Sequence, residues 1–260
     1  MQKKKFWVIL LTVIVFLAGA LLGVTNVYRV DDVVVKIDYV SEASAPESEA
    51  LLKRLSKAYK GQSTLFVEKD EAKKIFEDFP YFRMTSFSTK HPNKVVIKAT
   101  EDEEFYAFEK VDGGYYILGL DGVVLGERET SVNRSDGGEN VLLSGFEATG
   151  EKGKKLVGDG VDTAIGFLSV LSEKLGGIRN NITKADWQTP ASTATYLNLE
   201  TVEGVRLLIE NPQTLTKEKA ERLAAYYTAL EDGARLAGEV WVTSTEEGEI
   251  RIAYMQNGQN

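Results

Sequence analysis

The sequence predicts an α+β protein in which a single N-terminal transmembrane helix is followed by a βααββ domain and a second mixed α+β domain. A run of 19 residues from Phe6 to Val24 carries no charge. Strand, helix, helix, strand, strand patterns follow between residues 33 and 100, and mixed patterns recur from 105 to 254. The predicted ranges are a tail at 1–5, an anchor at 6–27, domains at 28–103 and 104–255, and a polar tail at 256–260.

The uncharged run predicts how the chain is placed in a membrane. At about 1.5 Å per residue it would span roughly 30 Å, the thickness of the hydrocarbon layer. Lys3, Lys4 and Lys5 precede the run, whereas Arg29 is followed at once by two aspartates. This bias predicts a cytoplasmic N-terminus and extracytoplasmic domains. A cleaved signal peptide is the alternative, because residues 18–20 form a small-residue triplet, but signal peptides have shorter apolar runs of about 7–15 residues.

Composition and charge exclude several classes of function. The 260 residues contain no Cys and one His, which excludes disulfide scaffolds, Cys nucleophiles, Cys-based zinc sites and His-rich metal sites. The net charge is −8, and it is more negative still without the three N-terminal lysines. A body of that charge repels phosphate backbones, so we expect no nucleic-acid partner. We also expect no cofactor and no bound metal.

The first predicted domain opens with one strand and two helices. Alternating apolar residues at 33–39 predict the strand. An apolar stripe after Pro46 predicts a helix that stops before Gly61. The second helix begins at Asp70, a typical N-cap residue, and ends before Pro80.

A hairpin closes this domain. Arg83–Thr89 and Lys94–Thr100 are rich in strand-forming residues, and His91 begins the turn between them. Four adjacent acids, Glu101 to Glu104, follow directly. Neighbouring residues of a strand point to opposite faces, and the run lacks the spacing of a calcium loop. We therefore interpret it as a solvated charge run that ends the strand.

The second predicted domain has strands around two helices. Turn signals divide residues 105–125 into strands, and Ser135-Asp136-Gly137-Gly138 lies in a polar segment that we interpret as an exposed loop. The remaining predicted elements are a helix at 162–175, strands at 182–187, 195–200 and 205–210, a helix at 217–230, and final strands at 239–243 and 249–254.

The chain resembles the FtsQ/DivIB family of bacterial cell-division proteins over nearly all of residues 6–254. The carriers of the resemblance are VVVKIDYV at 33–40, STLFVEKDEAKKIFEDFPYF at 63–82, KHPNKVVIKATE at 90–101 and NLETVEGVRLLIENPQTLTKEKAERLAAYYTAL at 198–230. The resemblance implies that residues 28–103 form a POTRA-like domain and that residues 104–255 form the family's β domain.

No enzymatic centre is evident in the sequence. Catalysis needs either a nucleophile with a general base and a residue that orients the base, or a metal ion with a coordination position open to substrate. The one histidine, His91, lies in a predicted turn beside Pro92. The resemblance implies a non-enzymatic divisome scaffold at the septal cell membrane. Its implied partners are FtsB/DivIC-like and FtsL-like coiled-coil membrane proteins, and its implied role is to help regulate septal wall synthesis. The alternatives are an anchored cell-wall enzyme, such as a Ser-Lys hydrolase, and a secreted binding protein.

The last strand is the candidate partner-binding site. Only polar residues follow it, so one backbone edge is expected to be free for strand addition, and the resemblance implies docking at this end. Its residues are Ile250, Arg251, Ile252, Ala253 and Tyr254. Alternate residues share a face, and the sequence leaves open which face contacts the core.

Overall fold

The computed structural model describes residues 7, 10–17, 19, 23, 27–41, 44–189, 195–214, 216–244 and 248–256. The chain divides into two compact units, residues 1–101 and 102–260. Both units contain helices and strands, and the second contains a nine-stranded sheet. The predicted α+β class is therefore confirmed.

The predicted transmembrane helix is wrong. No helix among the described residues is long and apolar enough to cross a membrane. Within the apolar run, the described helical residues are 7, 10–17, 19 and 23, and we call residues 10–17 α1. Lys3, Lys4 and Lys5, the predicted topology signal, lie outside the described residues.

Residues 32–101 of unit 1 form a three-stranded sheet with two helices. Its elements are β1 (Asp32–Asp38), α2 (Ala45–Tyr59), α3 (Lys69–Glu77), β2 (Phe82–Lys90) and β3 (Lys94–Glu101). The sheet order is β1-β3-β2, with β3 parallel to β1 and antiparallel to β2. The central strand is the most buried because it has a partner on each side, and its Val95, Val96 and Ile97 lie in the core. This element order is the strand, helix, helix, strand, strand order of the sequence pattern.

The two helices of unit 1 pack their apolar stripes into its core. The buried side chains are Leu51, Leu55 and Tyr59 of α2, and Ala72, Ile75 and Phe76 of α3. The Tyr59 hydroxyl donates to the Glu68 carbonyl at 2.7 Å, which fastens the end of α2 to the start of α3. The N-cap of α3 is Glu68, two residues earlier than predicted, and Asp70 lies inside the first turn, where it pairs with Lys73.

The described residues of unit 2 form a nine-stranded mixed sheet, a two-stranded sheet of β8 and β9, and two long helices. Its strands are β4 (Tyr106–Glu109), β5 (Tyr115–Leu118), β6 (Val124–Arg128), β7 (Val141–Ser144), β8 (Ala148–Thr149), β9 (Val157–Gly158), β10 (Ile182–Gln188), β11 (Tyr196–Thr201), β12 (Arg206–Glu210), β13 (Glu239–Ser244) and β14 (Ile250–Met255). Its helices are α4 (Val161–Leu175), α5 (Lys217–Ala229) and the short α6 (Asp232–Arg235), with a 3-10 turn at Pro212–Thr214.

The order of the nine-stranded sheet is β14-β13-β12-β11-β10-β7-β4-β5-β6. The apolar faces of α4 and α5 share one core with alternate residues of these strands. The other face of strands β11 to β13 carries Tyr196, Asn198, Leu208 and Trp241.

The acidic run at 101–104 is not a solvated charge run. Glu101 is only 3% exposed, and its carboxylate accepts hydrogen bonds from the backbone N–H groups of Val40, Ser41 and Ser44 and from the Ser44 hydroxyl. Burial alone would raise the pKa of Glu101, but these hydrogen bonds lower it to about 2. The carboxylate thus fixes the start of α2, whose N-cap is Ser44.

Glu104, the last acid of the run, is buried in unit 2. Its carboxylate pairs with Arg128 at 2.5 Å and accepts a hydrogen bond from the Arg134 backbone N–H at 3.0 Å. The polar loop that follows β6 is exposed at its tip, as predicted, but its two ends are buried asparagines, Asn133 and Asn140. Asn133 donates to both the Glu104 carbonyl and the Asn140 side chain at 2.8 Å, so the loop is fastened at its base.

Candidate partner-binding edge

The final strand lies at one end of the nine-stranded sheet. β14 is antiparallel to β13 and, among the described residues, has no ladder partner on its other side. A strand in that position leaves every second pair of backbone N–H and C=O groups without a ladder bond.

The structure assigns the two side-chain faces of β14, which the sequence left open. Ile250, Ile252 and Tyr254 are half-buried and pack against the core of unit 2. Arg251 and Ala253 are exposed on the opposite face, and Met255 continues that face. Tyr254 is therefore a packing residue, and the exposed row is the one available to a partner.

The backbone groups at the free edge can also be assigned. A Cβ built on Gly238 would lie 2.7 Å from the Met255 carbonyl oxygen, so that carbonyl faces β13. In an antiparallel ladder the N–H and C=O of one residue point the same way, and the direction alternates along the strand. The backbone groups of Ala253 and Arg251 therefore face β13, and those of Ile252 and Tyr254 face the free edge.

Gly238, directly before β13, allows the end of β14 to lie close to the start of β13. Its φ of +97° is one that other residues rarely adopt, and a Cβ there would also lie 2.8 Å from the Tyr254 hydroxyl oxygen. That hydroxyl donates to the Ala237 carbonyl at 3.0 Å. The end of β14 is thus held in register by a close backbone approach and one hydrogen bond.

An ordered aromatic and charged group lies beside the exposed row of β14. We call Tyr196, Arg206, Glu239 and Trp241 the Trp241 cluster. Trp241 Nε1 donates to Glu239 Oε2 at 2.9 Å, Glu239 also pairs with Arg206, and the Tyr196 ring meets the Trp241 ring edge-on at 6.0 Å. Trp, Tyr and Arg are the residue types enriched at binding hot spots.

The cluster and the free edge are neighbours in the sheet. Trp241 lies directly opposite Ala253, and Glu239 lies opposite Met255. Trp241 is half-buried, and the residue opposite it on β14, Ala253, has a small side chain. A strand added to the free edge could therefore combine main-chain bonds with a side-chain contact to Trp241.

Groups with catalytic or metal-binding potential are sparse in the described part of the chain. No group there of three or more His, Cys, Asp or Glu could hold a metal ion. His91 is exposed in the turn between β2 and β3, with Nδ1 3.3 Å from Thr64 Oγ1.

One hydrogen-bonded pair of a hydroxyl and an amine in unit 2 was not predicted from the sequence. Lys219, in the first turn of α5, is 3% exposed, and its Nζ donates to Thr214 Oγ1 at 2.7 Å. Burial lowers the pKa of Lys219. The helical spacing of the apolar residues in α5 could have indicated that Lys219 faces inward, since Leu223 lies one turn further on.

Comparison with known proteins assigns no family to the chain. No protein-family model matches it, and no curated protein is significantly similar to it. The resemblance to the FtsQ/DivIB family remains a prediction from the sequence motifs, and no partner is assigned to β14 by similarity.

Proposed function

We propose that this protein is a non-enzymatic scaffold of the FtsQ/DivIB kind that binds small coiled-coil division proteins by strand addition at β14. The observation that carries the proposal is the position of β14 at the end of the sheet, with the backbone groups of Ile252 and Tyr254 facing the free edge. The partners are FtsB/DivIC-like and FtsL-like membrane proteins, and the role is to help assemble or regulate septal wall synthesis at the cell membrane.

The chemistry of the edge suits a peptide more than a small molecule. A visiting strand gains main-chain hydrogen bonds along Ile252 and Tyr254 and a side-chain contact over Ala253 with Trp241. Main-chain bonds contribute more than apolar area to such a small interface. We therefore expect an affinity in the micromolar range, about −8 kcal/mol.

The partner experiment uses the full chain and the purified FtsB/DivIC-like protein of the same organism. Hydrogen exchange followed by mass spectrometry should show that the β14 segment exchanges quickly in the free protein and becomes protected when the partner is added. Protection elsewhere without any change in β14 would show that the edge is not the site. The measurement needs no substitution, so a folding defect cannot obscure it.

A pair of variants tests the main-chain part of the interface. Ile252→Pro removes a backbone donor that faces the free edge, whereas Ile252→Ala removes similar apolar contact and keeps the donor. We expect the first to abolish partner capture and the second to retain most of it, with similar circular dichroism spectra. Arg251→Pro is a poorer test, because the Arg251 backbone faces β13 and the proline would break the sheet itself.

The Thr214 and Lys219 pair is the site at which the enzymatic alternative can be tested. A buried amine with a lowered pKa beside a hydroxyl is the arrangement that a Lys-activated nucleophile requires. Hydrolysis of peptidoglycan or an ester probe by the full chain, abolished in a folded Thr214→Val variant, would favour the hydrolase. We expect no such turnover, because Lys219 also has a structural role at the start of α5.

A further inference from the structure

Two adjacent apolar side chains project into solvent from the turn between α2 and α3. Phe66 is 77% exposed and Leu65 is 48% exposed. In unit 1 the neighbouring Thr64 is buried, so the turn presents its apolar residues outward although its backbone is fixed. An exposed pair of this size on a fixed turn is typical of an interaction site.

The turn is held in place by two other segments. The Thr64 backbone N–H donates to the Tyr28 carbonyl at 2.7 Å, and the Thr64 hydroxyl donates to the Pro92 carbonyl at 2.6 Å. Val30 N–H donates to the Gln62 carbonyl at 2.8 Å. We call residues 28–30, 62–66 and 91–93 the Phe66 corner.

The chain that leads into the corner is itself apolar. Val27, directly before Tyr28, is 58% exposed, and the run from Phe6 to Val24 contains no charge. Seven described apolar residues of α1 are also exposed: Leu10, Leu11, Val13, Ile14, Val15, Phe16 and Leu17. At about 100° per residue these positions surround the helix. The sequence that leads into the corner is therefore as apolar as the tip of the corner.

The polar groups of the corner fit a membrane interface. The Tyr28 ring meets the His91 ring edge-on at 5.6 Å, and aromatic side chains with a polar end concentrate at the boundary between lipid and water. Arg29 and Lys60 lie next to the turn, and an acid bonded to the corner, Asp31, accepts a hydrogen bond from the Asn93 side-chain amide at 3.1 Å. The corner thus combines an apolar tip with two cations suited to anionic headgroups and an acid that already has a hydrogen-bond donor.

We propose that the Phe66 corner rests on a lipid surface, with Leu65 and Phe66 inserted among the acyl chains. The contact is with one surface of the membrane and needs no helix that crosses it. It would hold unit 1 in a defined orientation at the membrane. The inference is independent of partner binding at β14, which lies in unit 2.

Single-cysteine labelling tests the proposal, because the chain has no Cys of its own. An environment-sensitive fluorophore is attached to a Phe66→Cys variant of the full chain and mixed with phosphatidylcholine vesicles, with and without phosphatidylglycerol. We expect a blue shift with vesicles and loss of emission when doxyl-labelled lipid is included. Val111→Cys is the matched control, since Val111 is a fully exposed apolar residue of a turn in unit 2.

Binding supplies a second measurement. Phe66→Ser should weaken vesicle binding by roughly tenfold, because a large apolar side chain no longer enters the lipid. Val111→Ser should leave it unchanged. Three outcomes would overturn the proposal: no vesicle binding by the parent chain, equal quenching at positions 66 and 111, or a blue shift at position 66 that needs no lipid and rises with protein concentration. The last would show that a second copy covers the corner.

Discussion

Replacing Glu101 by glutamine tests whether a buried carboxylate organises unit 1. One carboxylate oxygen accepts from the N–H groups of Val40 and Ser41, and the other accepts from the N–H and hydroxyl of Ser44. In Glu101→Gln one of these oxygens becomes an NH2 donor. The better orientation points the NH2 group toward Ser44, because the Ser44 hydroxyl can then accept a hydrogen bond instead of donating one. Even so, the buried backbone N–H of Ser44 loses its acceptor.

The structure sets the size of the effect. Lowering the pKa of Glu101 from its ordinary 4.5 to about 2 corresponds to roughly 3 kcal/mol of stability at neutral pH. Because the folded-state pKa is the lower one, this stability is complete above pH 4.5 and is lost as the pH falls through about 2. About half of it should remain at pH 3.

Urea unfolding of the full chain, followed by circular dichroism, measures the difference. Glu101→Gln should lower the free energy of unfolding by about 3 kcal/mol at pH 7 and by clearly less at pH 3. The control is Glu103→Gln, a half-exposed acid of the same run, which should change it by less than about 0.5 kcal/mol. Equal effects of the two variants, or a Glu101→Gln effect independent of pH, would refute the reasoning.

Three further predictions concern the two cores. Phe76→Ala removes a buried ring of α3 and should destabilise the full chain by about 3–5 kcal/mol in a thermal melt, whereas Glu77→Ala on the exposed side should not. Gly145→Ala should fail to give soluble protein, since its Cβ would lie 2.0 Å from the Trp187 carbonyl oxygen, while Gly166→Ala in α4 has open space and should gain about 0.5–1 kcal/mol in urea unfolding. Burial lowers the pKa of Lys219, so burying the charged amine reduces the free energy of unfolding of the parent at neutral pH, and this cost disappears as the pH rises toward 10.5. The free energy of unfolding of Lys219→Met, measured relative to the parent, should therefore be higher at pH 7 than at pH 10.

Elements with a strong local pattern could be predicted closely. The helix predicted at 162–175 is α4 at Val161–Leu175, and Gly176, with φ of +72°, ends it as its position suggested. Strand β7 was missed because four residues carry no usable period. It is defined by its parallel neighbours β4 and β10, which are distant in sequence.

The misinterpretation of residues 101–104 originates in contacts between segments that are distant in the sequence. Whether Glu101 is solvated depends on donors at 40–44, about 60 positions earlier, which no local pattern reveals. For β14 the sequence placed the strand, but only the strand order and the Gly238 contact identify its free edge and outward groups.

The contrast between the two ends of the large sheet is a physical argument for a partner at β14. At the other end β6 is covered: Val124 N–H donates to the Lys154 carbonyl at 2.9 Å, and Gly153 N–H donates to the Val124 carbonyl at 2.8 Å. Proteins that leave an edge strand unpaired usually protect it with proline, a bulge or several charges. Described residues 250–255 contain no proline and a single charge, Arg251, and the β13 and β14 register is unbroken. An edge without those devices is prone to aggregation unless another strand occupies it. Because residues 153 and 154 of the same chain cover β6, the free edge of β14 is where our proposal puts a strand of a second protein.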